Sequence, residues 1–257
     1  MSDRWLAGRR AVLGAGAGAA GAALLGGCRR GGETAVGELR LAVASDLAAV
    51  MPALTAAFAA EGGERCQVTP GSTGLLSRQI TEGAPFDALL AAHVRYVDGL
   101  IRTGHAVASS RVVYARGRLA LWSRDRQDLT LGALGSLPRV AIANPEHAPY
   151  GQAARQALER SSVWGAVQGR LVVAENIQQA WQLVVRGEVE AGLVAWSLAK
   201  GQPGYGGPID AGLHDPIEQG AAAVARSPRA ARAEAFCRWL GGPRAGGVLV
   251  EAGFERP

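Results

Sequence analysis

Two short runs hold the residues best suited to grip a small anion. Ser45-Asp46 follows the apolar run 39–44, and Ser72-Thr73-Gly74 follows the strand-like Gln67-Val68-Thr69. Each opens a helical pattern. Leu47, Val50, Met51, Leu54 and Phe58 recur at helical spacing, and the stretch 74–82 stops at Gly83. The first backbone N–H groups of a helix have no partner within it. Those donors and the helix dipole together favour negative charge at that end. The second half repeats the arrangement at Ala148-Pro149-Tyr150-Gly151 and Ala174-Glu175-Asn176-Ile177. One such junction alone is an ordinary helix cap. Four of them, two in each half, are the makings of one site.

The donors such a site offers are neutral: the hydroxyls of Ser45 and Thr73 and free N–H groups. They suit a fully deprotonated tetrahedral oxyanion. A protonated guest would bury an O–H without an acceptor, at about 1–3 kcal/mol. The chemistry therefore favours molybdate, tungstate or sulfate over hydrogen phosphate, and cavity size must do the rest. Asp46 cuts across this reading. A carboxylate beside a dianion repels it unless the side chain turns away to cap the helix, and it could instead accept the proton of hydrogen phosphate. Phosphate stays open on that account.

The elements around these junctions alternate. Strand patterns at 39–44, 67–70 and 86–91 alternate with helical ones at 47–60, 74–82 and 94–103. A longer extended stretch covers 111–124. The alternation then restarts, with strands at 139–143, 171–173 and 191–195 and helices at 152–159 and 177–186. Residues 203–208 read as a turn-rich loop, and helices close the chain at 228–240 and before Gly253. This pattern predicts an α/β fold with parallel sheets in two lobes, ligand at the carboxyl ends of the strands, and the C-terminal helices returning to the first lobe.

The leader is equally informative. Arg9-Arg10 precede an apolar run rich in Ala, Gly and Leu over 11–27, the form of an export signal. That run is too short and glycine-rich for a membrane span. The arginine pair resembles a twin-arginine signal, with Gly8 and Val12 where Ser or Thr and Phe are usual. Leu25-Gly26-Gly27-Cys28 resembles a lipobox, which would acylate Cys28 and tether the chain through 28–38. The whole chain carries a net charge of +5, falling to +3 without residues 1–27. Its arginines are scattered rather than striped with aromatics, which argues against nucleic acid. Outside the cytoplasm Cys66 and Cys237 could pair, or remain two buried thiols. His93, His105, His147 and His214 are spread too widely for a metal pair, so no cation site and no cofactor are expected. Trp164, Trp181, Trp196 and Trp239 read as core. Asp87 and Glu175 could be drawn as an acid/base pair, but no nucleophile motif accompanies them.

Several further motifs carry a likeness. Tyr114 to Ser123, Ala141-Ile142-Ala143-Asn144-Pro145 with Ala148 to Gly151, Asn176-Ile177-Gln178-Gln179-Ala180 and Gly83-Ala84-Pro85-Phe86-Asp87 together resemble the molybdate-binding proteins of ABC transporters, over about 39–255. The resemblance implies a type II periplasmic-binding-protein fold: two α/β lobes joined by a hinge, with the ligand in the cleft. One lobe would take 39–117 and 223–257, the other 118–222, after a signal peptide at 1–27. It implies a monomeric extracytoplasmic receptor for molybdate or tungstate that serves a membrane permease and is anchored by lipid at Cys28. Phosphate, sulfate and, more remotely, an enzyme on the same fold are the rivals. Ser45 and Thr73 would bind through hydroxyl and N–H, Tyr150 and Ile177 through N–H alone. Asp46, Ser72 and Asn176 would stand behind them. The family usually has Ser at Thr73, and one of its branches has Asn at Asp46. Another branch has a ligand-binding tyrosine at Ala195.

Overall fold

A computed structural model describes residues 37–257; Arg9, Arg10 and Cys28 lie outside the described residues. The first half runs β1 (Leu39–Ala44), α1 (Met51–Ala60), β2 (Cys66–Gly71), α2 (Thr73–Glu82), β3 (Ala88–Ala91), α3 (Val94–Arg102) and β4 (Val112–Gly117). The chain then crosses to β5 (Leu119–Ser123), β6 (Val140–Ala143), α4 (Pro149–Arg160), α5 (Trp164–Val167), β7 (Leu171–Ala174), α6 (Ile177–Val185), β8 (Ala191–Ala195), α7 (Trp196–Ala199) and β9 (Tyr205–Pro208). It returns through β10 (Ile217–Ala223), α8 (Ala230–Leu240) and α9 (Pro243–Glu251).

Two five-stranded sheets result, ordered β2-β1-β3-β10-β4 and β7-β6-β8-β5-β9. Each is mixed rather than wholly parallel. In the first, β10 runs antiparallel to β3 and β4, and in the second β5 runs antiparallel to β8 and β9. The parallel strands β3, β6 and β8 are apolar and fully buried, as strands covered on both faces must be.

Several elements differ from the sequence expectation. The helix expected from Leu47 begins as a 3-10 turn, Ser45–Leu47, and becomes α-helical only at Met51. Pro52 has no N–H to continue a ladder back toward Ala48, so the regular helix starts in its own first turn. The single extended stretch 111–124 is two strands, broken at Arg118, and each joins a different sheet. Residues 205–208 are strand β9 rather than loop. Gly206, at φ 128°, lies so close over Leu121 and Trp122 that a Cβ there would collide with the partner strand. Strand β10 was invisible because Ile217-Glu218-Gln219-Gly220-Ala221-Ala222-Ala223 is rich in poor strand formers. It places 217–222 in the first sheet, so the return crossing falls before Ile217 and not at 223.

Cys66 and Cys237 are free thiols, Cys237 buried and Cys66 half-buried. Burial pushes Cys237 up to about 12 and Cys66 up to about 11, so neither is a ready nucleophile. Among the described residues no helix is long and apolar enough to cross a membrane.

Candidate anion site

The four junctions converge. Ser45 leaves the carboxyl end of β1, Thr73 opens α2 after β2, Tyr150 lies in the first turn of α4 after β6, and Ile177 opens α6 after β7. All four line one small cavity of about 10 Å³. Asp46, Ser72 and the apolar Ala92, Ala148 and Pro149 also line it, and no Lys, Arg or His side chain belongs to it. Ser45, Thr73, Tyr150 and Ile177 are each 3% exposed or less. Asn176 is not in the wall. Its side chain accepts from Gln179 N at 3.0 Å and so caps α6, whose first residue is Ile177.

Thr73 shows how a hydroxyl is aimed. Its Oγ1 accepts from Ala92 N at 3.0 Å. With that lone pair engaged, the single hydroxyl proton is left to donate elsewhere. Pro149 has no N–H, so the first donor of α4 belongs to Tyr150.

The two halves are closed on each other over this cavity. Gly74 N donates to His147 O at 2.9 Å. Ser72 Oγ donates to the same oxygen at 2.9 Å and lies 2.8 Å from His147 Nδ1. Its one proton is committed to the carbonyl, so the ring N–H must donate back to Ser72. Ser197 Oγ donates to Asp46 O at 2.8 Å from the other side. Ser72, expected behind the ligand, is thus also a latch between halves. His147 had seemed one of four scattered histidines, and nothing in its local sequence gave it this part.

Asp46 lines the cavity with its side chain fully buried. Oδ2 accepts from Gln219 Nε2 at 2.7 Å, and Tyr114 donates to Gln219 Oε1 at 3.2 Å. Oδ1 makes no well-aligned hydrogen bond, and neither does the buried hydroxyl of Tyr150, although that hydroxyl and the N–H groups of Asp46 and Leu47 lie close to the carboxyl. That hydroxyl crosses to the first half, where a Cβ on Gly117 would collide with it. Burial lifts the Asp46 carboxyl to about 6, against the pull of Gln219, Tyr150 and local N–H groups. Burial and the nearby carboxyl raise the Tyr150 phenol well above its ordinary value. The side chain of Tyr150 thus reaches the polar surroundings of Asp46, although only its N–H was expected at the site. Gln219 was missed because its strand was missed.

The supposed acid/base pair is not brought together. Asp87 precedes the central strand β3, at the end away from the cavity, and Glu175 is exposed. Trp181 packs on Trp122 with ring centroids 4.6 Å apart, away from any ligand role. Among the described residues no cluster of His, Cys, Asp or Glu could hold a metal ion.

Comparison with known proteins agrees with the motif reading. The model of the bacterial extracellular solute-binding proteins matches residues 39–255. Molybdate-binding protein ModA of Azotobacter vinelandii is 34% identical over 226 residues, spanning 84% of this chain and 89% of that protein. Its namesake from Rhodobacter capsulatus is 32% identical over 224 residues, spanning 86% and 89%. The solved structure of the Azotobacter vinelandii periplasmic molybdate-binding protein superposes with a TM-score of 0.80 at 30% identity, covering 86% of this chain and all of that one. The two α/β lobes thus form a type II periplasmic-binding-protein fold, and the chain belongs to the bacterial extracellular solute-binding proteins.

Proposed function

We propose that this chain captures molybdate or tungstate outside the cytoplasm and hands it unchanged to an ABC-transporter permease. The observation that carries the proposal is one small buried cavity, walled by the starts of α2, α4 and α6 and by Ser45 and Asp46, without a basic side chain. Neutral donors in a dry site bind a compact dianion by hydrogen bonds that strengthen as water leaves. The guest would meet the protein through its oxygens: hydroxyl and N–H of Ser45 and Thr73, N–H of Tyr150 and Ile177. Residues 39–117 with 217–257 would move as one lobe and 118–216 as the other, about crossings at Arg118 and before Ile217. Each supplies only part of the shell, so the guest itself would hold the cleft shut. The buried carboxyl of Asp46 favours one rival, hydrogen phosphate, whose proton it could accept.

A thermal-shift panel of molybdate, tungstate, sulfate and phosphate tests the reading, because a guest that binds only the native state raises Tm. Molybdate and tungstate should give the large shifts. Thr73→Val removes one donor and orphans Ala92 N, so affinity should fall by about 1–3 kcal/mol, roughly 5- to 150-fold. Thr73→Ser should retain most of it. Unchanged molybdate affinity in the valine variant, read by calorimetry, would misplace the site.

The same proposal takes the chain as a monomer, exported by the Arg9-Arg10 signal and held at the membrane through lipid on Cys28. Cys28→Ser should move the protein from the membrane to the soluble fraction of cells. A variant that stays with the membrane would refute the anchor.

A further inference from the structure

We propose that Asp46 carries the proton balance of the site, so that each oxyanion enters the closed cleft together with one proton taken up by this carboxyl. The inference rests on the oxyanion reading above. It begins from geometry. Asp46 is fully buried in the wall of the cavity, and its Oδ1 makes no well-aligned hydrogen bond, with the Tyr150 hydroxyl close by. Every group facing it is neutral. Gln219 comes from β10, Tyr114 from β4 and Tyr150 from α4. The helices α6 and α7 also pack against the Ser45–Leu47 turn and carry no titratable side chain. Strand β2 contributes only Cys66, at its far end beside Leu39.

An ionised Asp46 would thus share a small dry space with a dianion and no counter-charge. Something must take a proton. Molybdate and tungstate are weak bases that stay dianionic near neutrality, so the proton goes to the carboxyl. Once protonated, Asp46 changes from a repelling acceptor to a donor and can serve Tyr150 or a guest oxygen. The change is within reach, since burial already holds this carboxyl at about 6. A dianion alongside raises it further. The bound state then binds more protons than the free state at every pH between those two values. In that window affinity falls as pH rises, by about tenfold per pH unit.

The test is calorimetric titration of the full chain with sodium molybdate at pH 6, 7 and 8. At pH 7 and 8 it is repeated in two buffers of different ionisation heat, which counts protons. The native chain should take up close to one proton per molybdate at pH 7 and bind about tenfold more weakly at pH 8 than at pH 7. Asp46→Asn keeps a donor and cannot titrate. It should show no proton uptake, no pH trend, and at least tenfold tighter binding than the native chain at pH 8. Should that variant not fold, the proton count on the native chain still decides. Native binding that is flat with pH and free of proton uptake overturns the proposal but leaves the oxyanion reading intact. Phosphate bound more tightly than molybdate by the native chain, and lost in Asp46→Asn, overturns it in favour of a proton-bearing guest. Failure of every oxyanion to bind at any pH removes the oxyanion reading itself.

Discussion

Gly74→Ala will bind molybdate roughly 30- to 1,000-fold more weakly than the native chain, with its ligand-free Tm unchanged or slightly higher. The asymmetry follows from where the added methyl goes. In the closed cleft it would lie 2.7 Å from His147 O and 2.8 Å from His147 Cβ, both on the opposite half. Backbone and Cβ cannot swing aside as the tip of a long side chain can. Overpacking of this kind costs about 1–3 kcal/mol, and strain on the Gly74–His147 hydrogen bond adds about 1 more. In an open cleft the methyl meets nothing from the other half. There alanine is simply the better helix former in α2. Calorimetry for affinity and a melt without ligand check the two halves of the prediction. Equal losses in both would mean that Gly74 matters to the fold rather than to closure.

Asp87→Ala will cost about 3–5 kcal/mol of stability, which lowers Tm by roughly 6–20 °C in a domain of this size. Asp87 is 1% exposed and is tied to three partners. It accepts from Arg40 N at 2.6 Å, from Ser227 Oγ at 2.5 Å and from Arg229 Nε at 2.9 Å. These bonds pin the start of β3 to β1 and to the turn before α8. Removal leaves the largely buried Arg229 without its counter-ion, the costly half of breaking a buried pair. Burial alone would raise this carboxyl, but the N–H of Arg40, the Ser227 hydroxyl and the Arg229 charge outweigh it and hold it below its ordinary value. A depressed carboxyl stabilises the fold above the unfolded value near 4 and loses that contribution as pH falls through the folded one. Melts between pH 7 and pH 3 should therefore narrow the gap between native and variant as acid is added. A constant gap would show that packing, not charge, accounts for the loss.

The anion junctions were legible because each is local. A helix start after an apolar run fits within about six positions, and at Ser45 and Thr73 a small hydroxyl marks it; the choice of Tyr150 and Ile177 within their junctions came from the family resemblance. What lies between them was not. Ser72 finds His147 across 75 residues, and Asp46 finds Gln219 across 173. Neither partner has a sequence neighbour that marks it. Gln219 sits in an Ala- and Gly-rich strand that no propensity announces, and the Tyr150 hydroxyl gains its polar surroundings only once the halves meet. Asp87 illustrates the reverse error. Its carboxylate invited a catalytic reading, yet its partners Arg229 and Ser227 come from a turn 140 residues away. The break at Arg118 was hidden because β4 and β5 are both extended and differ only in which sheet they join.

A cage without fixed cations has one more consequence. Dissolved ions weaken attraction between exposed charges, and a lysine- or arginine-lined pocket loses its grip in brine. Here the guest would be held by dipoles inside a small, largely buried cavity, where that screening is much weaker. Capture of the anion would then depend on dissolved salt less steeply than in a lysine- or arginine-lined pocket.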